Sequence, residues 1–213
     1  MTSDLGLRER KKLRTRQAIS DAAIELFLRR GYDAVSVADV AAAAEVSKPT
    51  LFKYFRSKEE LVLDRIDDHR DEPARAVRER APGESPLDAL HRRQRELLDD
   101  RDPVTGISDA PRVVAFHRLL YTTESLANGL LAYSVNGREL LRDALVEAVG
   151  PGPHPLTATL VASQILTISG LLSAENWRQV DAGRTTEEIY PEAVAALDAA
   201  YALLRDGLGD YCG

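Results

Sequence analysis

Between Ser36 and Phe55 the chain reads SVADVAAAAEVSKPTLFKYF, and its two helix-start signals lie so close together that only two short helices and a tight turn fit. Ser36 precedes VADVAAAA, in which Val37, Val40, Ala41 and Ala44 share one helical face. Asp39 stands where a near-capping box needs an acid. After the Glu45-Val46 turn, Ser47 is a good N-cap for the next helix. Pro49 falls in that helix's first turn, where a missing N–H costs little. Upstream, Ile19, Ala22, Ala23, Leu26 and Phe27 recur at three- and four-residue spacing, and Gly31 follows where a C-cap glycine belongs. The pattern predicts three consecutive helices, the last two divided by a short turn.

Such a trio is a helix-turn-helix, whose second helix braces across a nucleic-acid backbone while the third enters the major groove. Leu51 and Phe55, with Val46, are spaced to pack back onto Val37, Val40 and Phe27, which leaves Lys48, Thr50, Lys53 and Tyr54 pointing outwards. Lysines attract phosphates, a threonine offers a hydroxyl and a methyl to base edges, and an aromatic at the groove edge packs on sugar. Arg8, Arg10, Lys11, Lys12, Arg14 and Arg16 form a basic arm suited to backbone or minor-groove contacts. Charge by region agrees: residues 1–58 hold 12 Lys+Arg against 7 Asp+Glu, in a chain whose net charge is −6. A basic segment on an acidic body suggests a polyanion-binding module joined to something with another task.

From about Arg14 to Leu61 the chain resembles the tetracycline-repressor (TetR) family of bacterial transcription regulators. The resemblance is carried by an aliphatic-Phe and Gly-Tyr helix end, Val-Ser-Val, an Ala-rich helix, Val-Ser, Thr-Leu-Phe-x-Tyr-Phe and Lys-Glu-Glu-Leu. It implies DNA contacts from Ser36, Lys48, Pro49, Thr50, Phe52, Tyr54 and Lys58, the last near a phosphate at the start of the fourth helix. Ser47, Lys53, Arg14 and Arg16 complete the candidate interface. Two residues depart from the family's habit. Glu45 stands where the turn often has glycine, which reads as a turn needing no positive φ. Phe52 stands where tyrosine is frequent, and whether it is core or contact stays open.

No sustained strand-type alternation occurs, so the fold class expected is all-α with about nine helices. A fourth helix begins near Ser57 or Lys58 and meets Pro73, which kinks or divides it; Ser85 caps a helix through Leu98. Residues 112–150 read as two helices dividing between Thr122 and Asn128, and Gly150-Pro-Gly-Pro-His-Pro155 is a loop. A long apolar helix follows, then a last one opened by Thr185 and Glu188, with Pro191 as either a kink or its true start. The resemblance implies a DNA-binding domain over residues 1–57 and a ligand-binding and dimerisation domain over 58–213. Its last two helices would form a four-helix bundle with their mates. The residues support a homodimer: Leu160, Val161, Ile165, Ile168 and Leu172 on one helix and Val194, Leu197, Tyr201 and Leu204 on the other make apolar stripes beside small residues. A dimer presents two recognition helices to a palindromic operator.

Phe116, His117, Leu120, Tyr121, Tyr133, Gln164 and Trp177 are the candidates for an effector pocket, since such sites are mostly apolar with a few polar heads. The scarcity of charge among them favours a lipophilic or acyl-bearing effector that releases a repressor from DNA. The competing reading gives the C-terminal domain a protein partner and no small molecule. Catalysis is not expected. Asp88-Ala-Leu-His91 has no second copy for a di-metal site, and no nucleophile motif or phosphate loop occurs, so neither metal nor cofactor is expected. The apolar runs read as too short to cross a bilayer. Cys212, the single cysteine, forms no internal disulfide, and the compartment expected is reducing cytoplasm.

Overall fold

A computed structural model describes residues 6–67, 69–150, 152 and 154–207, with the backbone alone at residues 7, 67 and 131–134. Among the described residues the chain is all-α. Its helices are α1 (Leu7–Arg30), α2 (Val37–Ala43), α3 (Lys48–Phe52), α4 (Glu60–Asp67), α5 (Glu72–Arg78), α6 (Pro86–Asp99), α7 (Pro111–Thr122), α8 (Glu124–Val149), α9 (Thr157–Asp181) and α10 (Thr186–Asp206), with a 3-10 turn at Pro103–Thr105. The expectation of about nine falls short because the segment before Pro73 divides: Pro73 sits in the first turn of α5, where its missing N–H is harmless. The break between α7 and α8 falls at Thr123. Pro191 lies inside α10, which starts earlier because Thr185 and Glu188 form a complete capping box.

The chain divides into two compact units, residues 1–67 with Leu119–Leu130, and residues 68–118 with 131–213. A boundary at residue 57 was expected; packing carries α4 into the first unit. In that unit α1 packs on α2 and α4, and α2 on α3. Its core holds Ile19, Phe27, Val40, Leu51, Phe55, Leu61 and Val62, all within 1% of full burial. Ser20 is fully buried and donates its hydroxyl to the Leu61 carbonyl at 2.8 Å. The α7–α8 corner joins the same unit: Ser125 hydrogen-bonds to Tyr32 and Glu59, and Gly129 lies so close to Leu63 that a Cβ would overlap its methyl group.

In the second unit α5 packs on α6, and α10 packs on α6 and α9. Its core gathers Val77, Leu90, Ile107, Leu141, Ala162, Ile165, Ile189, Leu197 and Tyr201. This corrects part of the expected dimer stripe. Ile165, Leu197 and Tyr201 are 1–2% exposed within one protomer, on the inward faces of α9 and α10, and hold its own core. The outward face carries Leu160 (56% exposed), Val161 (37%), Leu171 (66%) and, on α10, Leu203 (48%). Ile168, Leu172, Val194 and Leu204 lie between the two extremes. By length and composition α9 is also apolar enough to cross a membrane, contrary to expectation. The 25-residue helix is longer than its uninterrupted apolar runs, and part of its apolar content is the inward stripe that closes this core.

Candidate nucleic-acid interface

The α2–α3 turn is specified at both ends by its caps. At the start of α2, Ser36 Oγ accepts from the Asp39 N–H at 3.1 Å and the Asp39 carboxylate accepts from the Ser36 N–H at 2.8 Å. The bonds from Ser36 hold the Asp39 carboxyl below its usual range. At the end of α2 the Val46 N–H reaches the Ala41 carbonyl at 2.9 Å and the Glu45 N–H reaches the Ala42 carbonyl at 3.2 Å. That bond pair is a Schellman motif, which places the residue after the C-cap in the left-handed region. Glu45 has φ of 54°, so the turn does need a positive φ, and the sequence reading of this departure is corrected. A left-handed residue with a Cβ is strained by about 1–2 kcal/mol, partly offset by the greater chain entropy of glycine. Glu45→Gly is therefore expected to stabilise the protein by about 1 kcal/mol in urea unfolding.

Ser47 caps α3, accepting from the Thr50 N–H at 3.1 Å, and its hydroxyl lies 2.7 Å from that of Thr50. This fixes the rotation of a helix only five residues long. Leu51 and Phe55 turn inward; Lys48, Pro49, Phe52 and Lys53 are exposed; Thr50 and Tyr54 are half-buried. Phe52 is 46% exposed, which decides its reading: it is a surface aromatic, with the Lys48 ammonium 6.0 Å from its ring centroid. Ser36 and Ser47 are exposed as well as capping. The basic arm is not an extended tail from Arg8 onward. Arg8, Arg10, Lys11, Lys12 and Arg14 are exposed on the first turns of α1.

Two basic residues expected at the DNA are turned inward. The Lys58 ammonium donates to the Tyr32 carbonyl and stands 4.0 Å from the Tyr32 ring centroid and 5.4 Å from that of Phe27. Burial pushes the Tyr32 hydroxyl up to about 12, assisted by the neighbouring Glu59, to which it donates at 3.1 Å. Arg16 Nε donates to Asp64 at 2.7 Å, its Nη1 donates to the Tyr54 carbonyl, and its guanidinium lies 4.5 Å from the Phe55 ring centroid. Nothing in the sequence pattern separated these inward cations from the outward ones of the same arm and motif.

The effector candidates differ in burial. His117 and Leu120 are buried; Phe116, Tyr121 and Trp177 are half-buried. Burial holds the His117 imidazole below its usual range, so it is neutral at pH 7. Gln164 is exposed on α9 and is withdrawn from the pocket; Tyr133 lies outside the described side chains. A groove of about 230 Å³ in the second unit is lined by Glu72, Arg75, Ala76, Glu79, Arg92, Arg93 and Glu96. Within it Arg93 pairs with Glu72 and Glu96, and Arg92 pairs with Glu96. Burial would raise the Glu72 carboxyl, but His69 and Arg93 outweigh that and bring it down to about 2.

Residues 19–64 match the family model for bacterial regulatory proteins of the tetR family. The regulator TcmR of Streptomyces glaucescens is 35% identical over 145 residues, 68% of this chain but only 62% of TcmR's own length. Among solved structures, NalD, the secondary repressor of the MexAB-OprM multidrug efflux pump in Pseudomonas aeruginosa, overlaps 90% of this chain and 97% of its own, with TM-score 0.55 and 17% identity. FadR from Bacillus subtilis, in complex with stearoyl-CoA, overlaps 90% of this chain and 98% of its own, with TM-score 0.53 and 18% identity. The two structures establish a shared fold. Because the family match runs unbroken through α2, the turn and α3, the chain belongs to the tetR family of bacterial regulatory proteins.

Proposed function

We propose that the protein is a repressor that binds a palindromic operator as a homodimer and leaves it when a small lipophilic effector binds the second unit. The observation that carries the DNA reading is the outward face of α3, where Lys48, Pro49, Phe52 and Lys53 are exposed beside the half-buried Thr50 and Tyr54. Lys48 and Lys53 supply phosphate attraction, and Thr50 a base-edge hydroxyl already oriented by Ser47. The homodimer reading is supported by the exposed leucines of α9 and α10. An apolar face of this kind on a surface helix marks an association site.

The effector reading is supported by the burial of His117 and by the stearoyl-CoA bound to FadR, a protein of the same fold. Effector binding acts on DNA affinity only through a difference between two conformational states. The chain passes between the two compact units after residues 67, 118 and 130, so both α4 and the α7–α8 corner are available levers.

The test uses a duplex selected by the wild-type protein from a random pool. Lys48→Ala is expected to weaken its binding about 5- to 150-fold, the range of about 1–3 kcal/mol for one good contact, by fluorescence anisotropy at fixed salt. Wild-type affinity in that variant would remove α3 from the interface. In the same assay stearoyl-CoA is expected to release the duplex, and in a thermal-shift measurement on the protein alone to raise the melting temperature. An effector library with no such member would favour a protein partner instead.

A further inference from the structure

The side chain of Arg16 gathers three elements of the first unit at one point. It leaves α1, places its guanidinium 4.5 Å from the centroid of the fully buried Phe55 ring, and donates to the Tyr54 carbonyl in the turn that ends α3. On α4 it meets Asp64 through Nε at 2.7 Å and Nη2 at 2.6 Å, with Glu60 at 3.9 Å. The Asp64 side chain is only 12% exposed, so the pair is partly desolvated, and Nε and Nη2 converge on the single oxygen Oδ1. Helix α3 is five residues long and has a side-chain cap only at the start; at the other end backbone N–H groups of Lys53, Tyr54 and Phe55 close the last turn, and the Arg16 bond to the Tyr54 carbonyl ties that turn to α1.

We propose that Arg16 is a positioning residue for operator recognition: it fixes the angle of α3 against α4 and makes no phosphate contact itself. The proposal rests on the DNA-binding reading above. Its physical content is that a cation in a basic head contributes to DNA affinity through the neighbouring acid and carbonyl, not through its charge. Asp64 provides the discriminating consequence. Removing an acid from a DNA-binding head strengthens binding if long-range electrostatics alone acts, because repulsion of the phosphates is relieved. Removing it here frees Arg16, loosens α3 and weakens specific binding.

Arg16→Gln, Asp64→Asn and the double variant are measured against the selected duplex and against an unrelated duplex over a range of salt concentrations. Each single variant is expected to lose about tenfold or more in selected-duplex affinity, with unrelated-duplex affinity within about twofold of wild type and an unchanged salt slope. The double variant is expected to bind no worse than the weaker single one, because both changes break one interaction. A salt slope reduced by about one in Arg16→Gln, with tighter binding by Asp64→Asn, makes Arg16 a phosphate ligand and overturns the proposal. Wild-type affinity in both variants overturns it as well. If Arg16→Gln lacks the native helical spectrum, Asp64→Asn with Arg16→Lys decides by the same two readouts. A wild-type protein that selects no duplex overturns the DNA-binding reading itself, a result distinct from variants that bind as it does.

Discussion

Gly106→Ala is expected to lower the free energy of unfolding by about 3–5 kcal/mol, a large share of the about 5–15 kcal/mol typical of a folded domain. Gly106 has φ of 78°, in the left-handed region, directly after the 3-10 turn. A Cβ there would fall onto the Ser173 carbonyl oxygen and lie 2.9 Å from the Trp177 amide nitrogen, both backbone atoms of α9 that no side-chain rotation moves aside. The same stretch is tied to α9 by the Ser173 hydroxyl, which donates to the Val104 carbonyl at 2.8 Å, and by the Asn176 amide, which donates to the Thr105 carbonyl at 2.9 Å. Asn176 is 6% exposed, so backing the loop away leaves a buried amide unsatisfied at about 1–3 kcal/mol, beyond the backbone strain. Urea unfolding of wild type and variant gives the difference directly. A loss under about 1 kcal/mol would show that the loop shifts freely and that the tie to α9 is not rigid.

The first unit was legible because its signals are local. Ser36 with Asp39, and Ser47 with Thr50, fix helix starts through bonds within four residues, so the structure reproduces both caps as read. Leu51 and Phe55 follow from spacing alone, since one face of a short helix must be buried. What failed was the direction of long cations. Arg16 and Lys58 have the composition of DNA contacts, but their partners, Asp64, the Tyr54 carbonyl and the Tyr32 carbonyl, lie 26 to 48 residues away in the chain. Distant partners leave no periodic trace.

Glu45 was misread for a different reason. The family's glycine at that position was itself the signal of a positive φ, and a Schellman turn imposes that angle on whichever residue occupies it. The two long C-terminal helices exposed the other limit. Apolar spacing identifies a helix face that avoids water, but it does not separate a face buried in the protomer from one left for a second copy. Ile165 and Leu160 both belong to the apolar pattern of α9, at 1% and 56% exposure.

That exposure difference defines the second large effect. Leu160→Glu combined with Leu171→Glu is expected to convert the proposed dimer to a monomer and to lower operator affinity about 100-fold or more. Both leucines are more than half exposed in the protomer, so the variant is expected to keep the helical spectrum and the melting transition of an intact fold. In a dimer each leucine would bury its remaining apolar area, worth about 1–2 kcal/mol, and a carboxylate there would add a desolvation penalty. The DNA consequence follows from linkage of the two heads. Once one recognition helix is seated, the second binds at an effective concentration in about the millimolar range, and a monomer forfeits that advantage. Sedimentation velocity reads the assembly state, and titration of a full palindrome against a single half-site reads the affinity. The full palindrome should lose its advantage over the half-site, while half-site binding, which uses one intact α3, changes by about threefold or less. Persistence of the dimer in the double variant would place the interface elsewhere and remove α9 from it. A monomeric variant with wild-type affinity for the palindrome would instead keep the interface and sink the coupling of dimerisation to operator recognition.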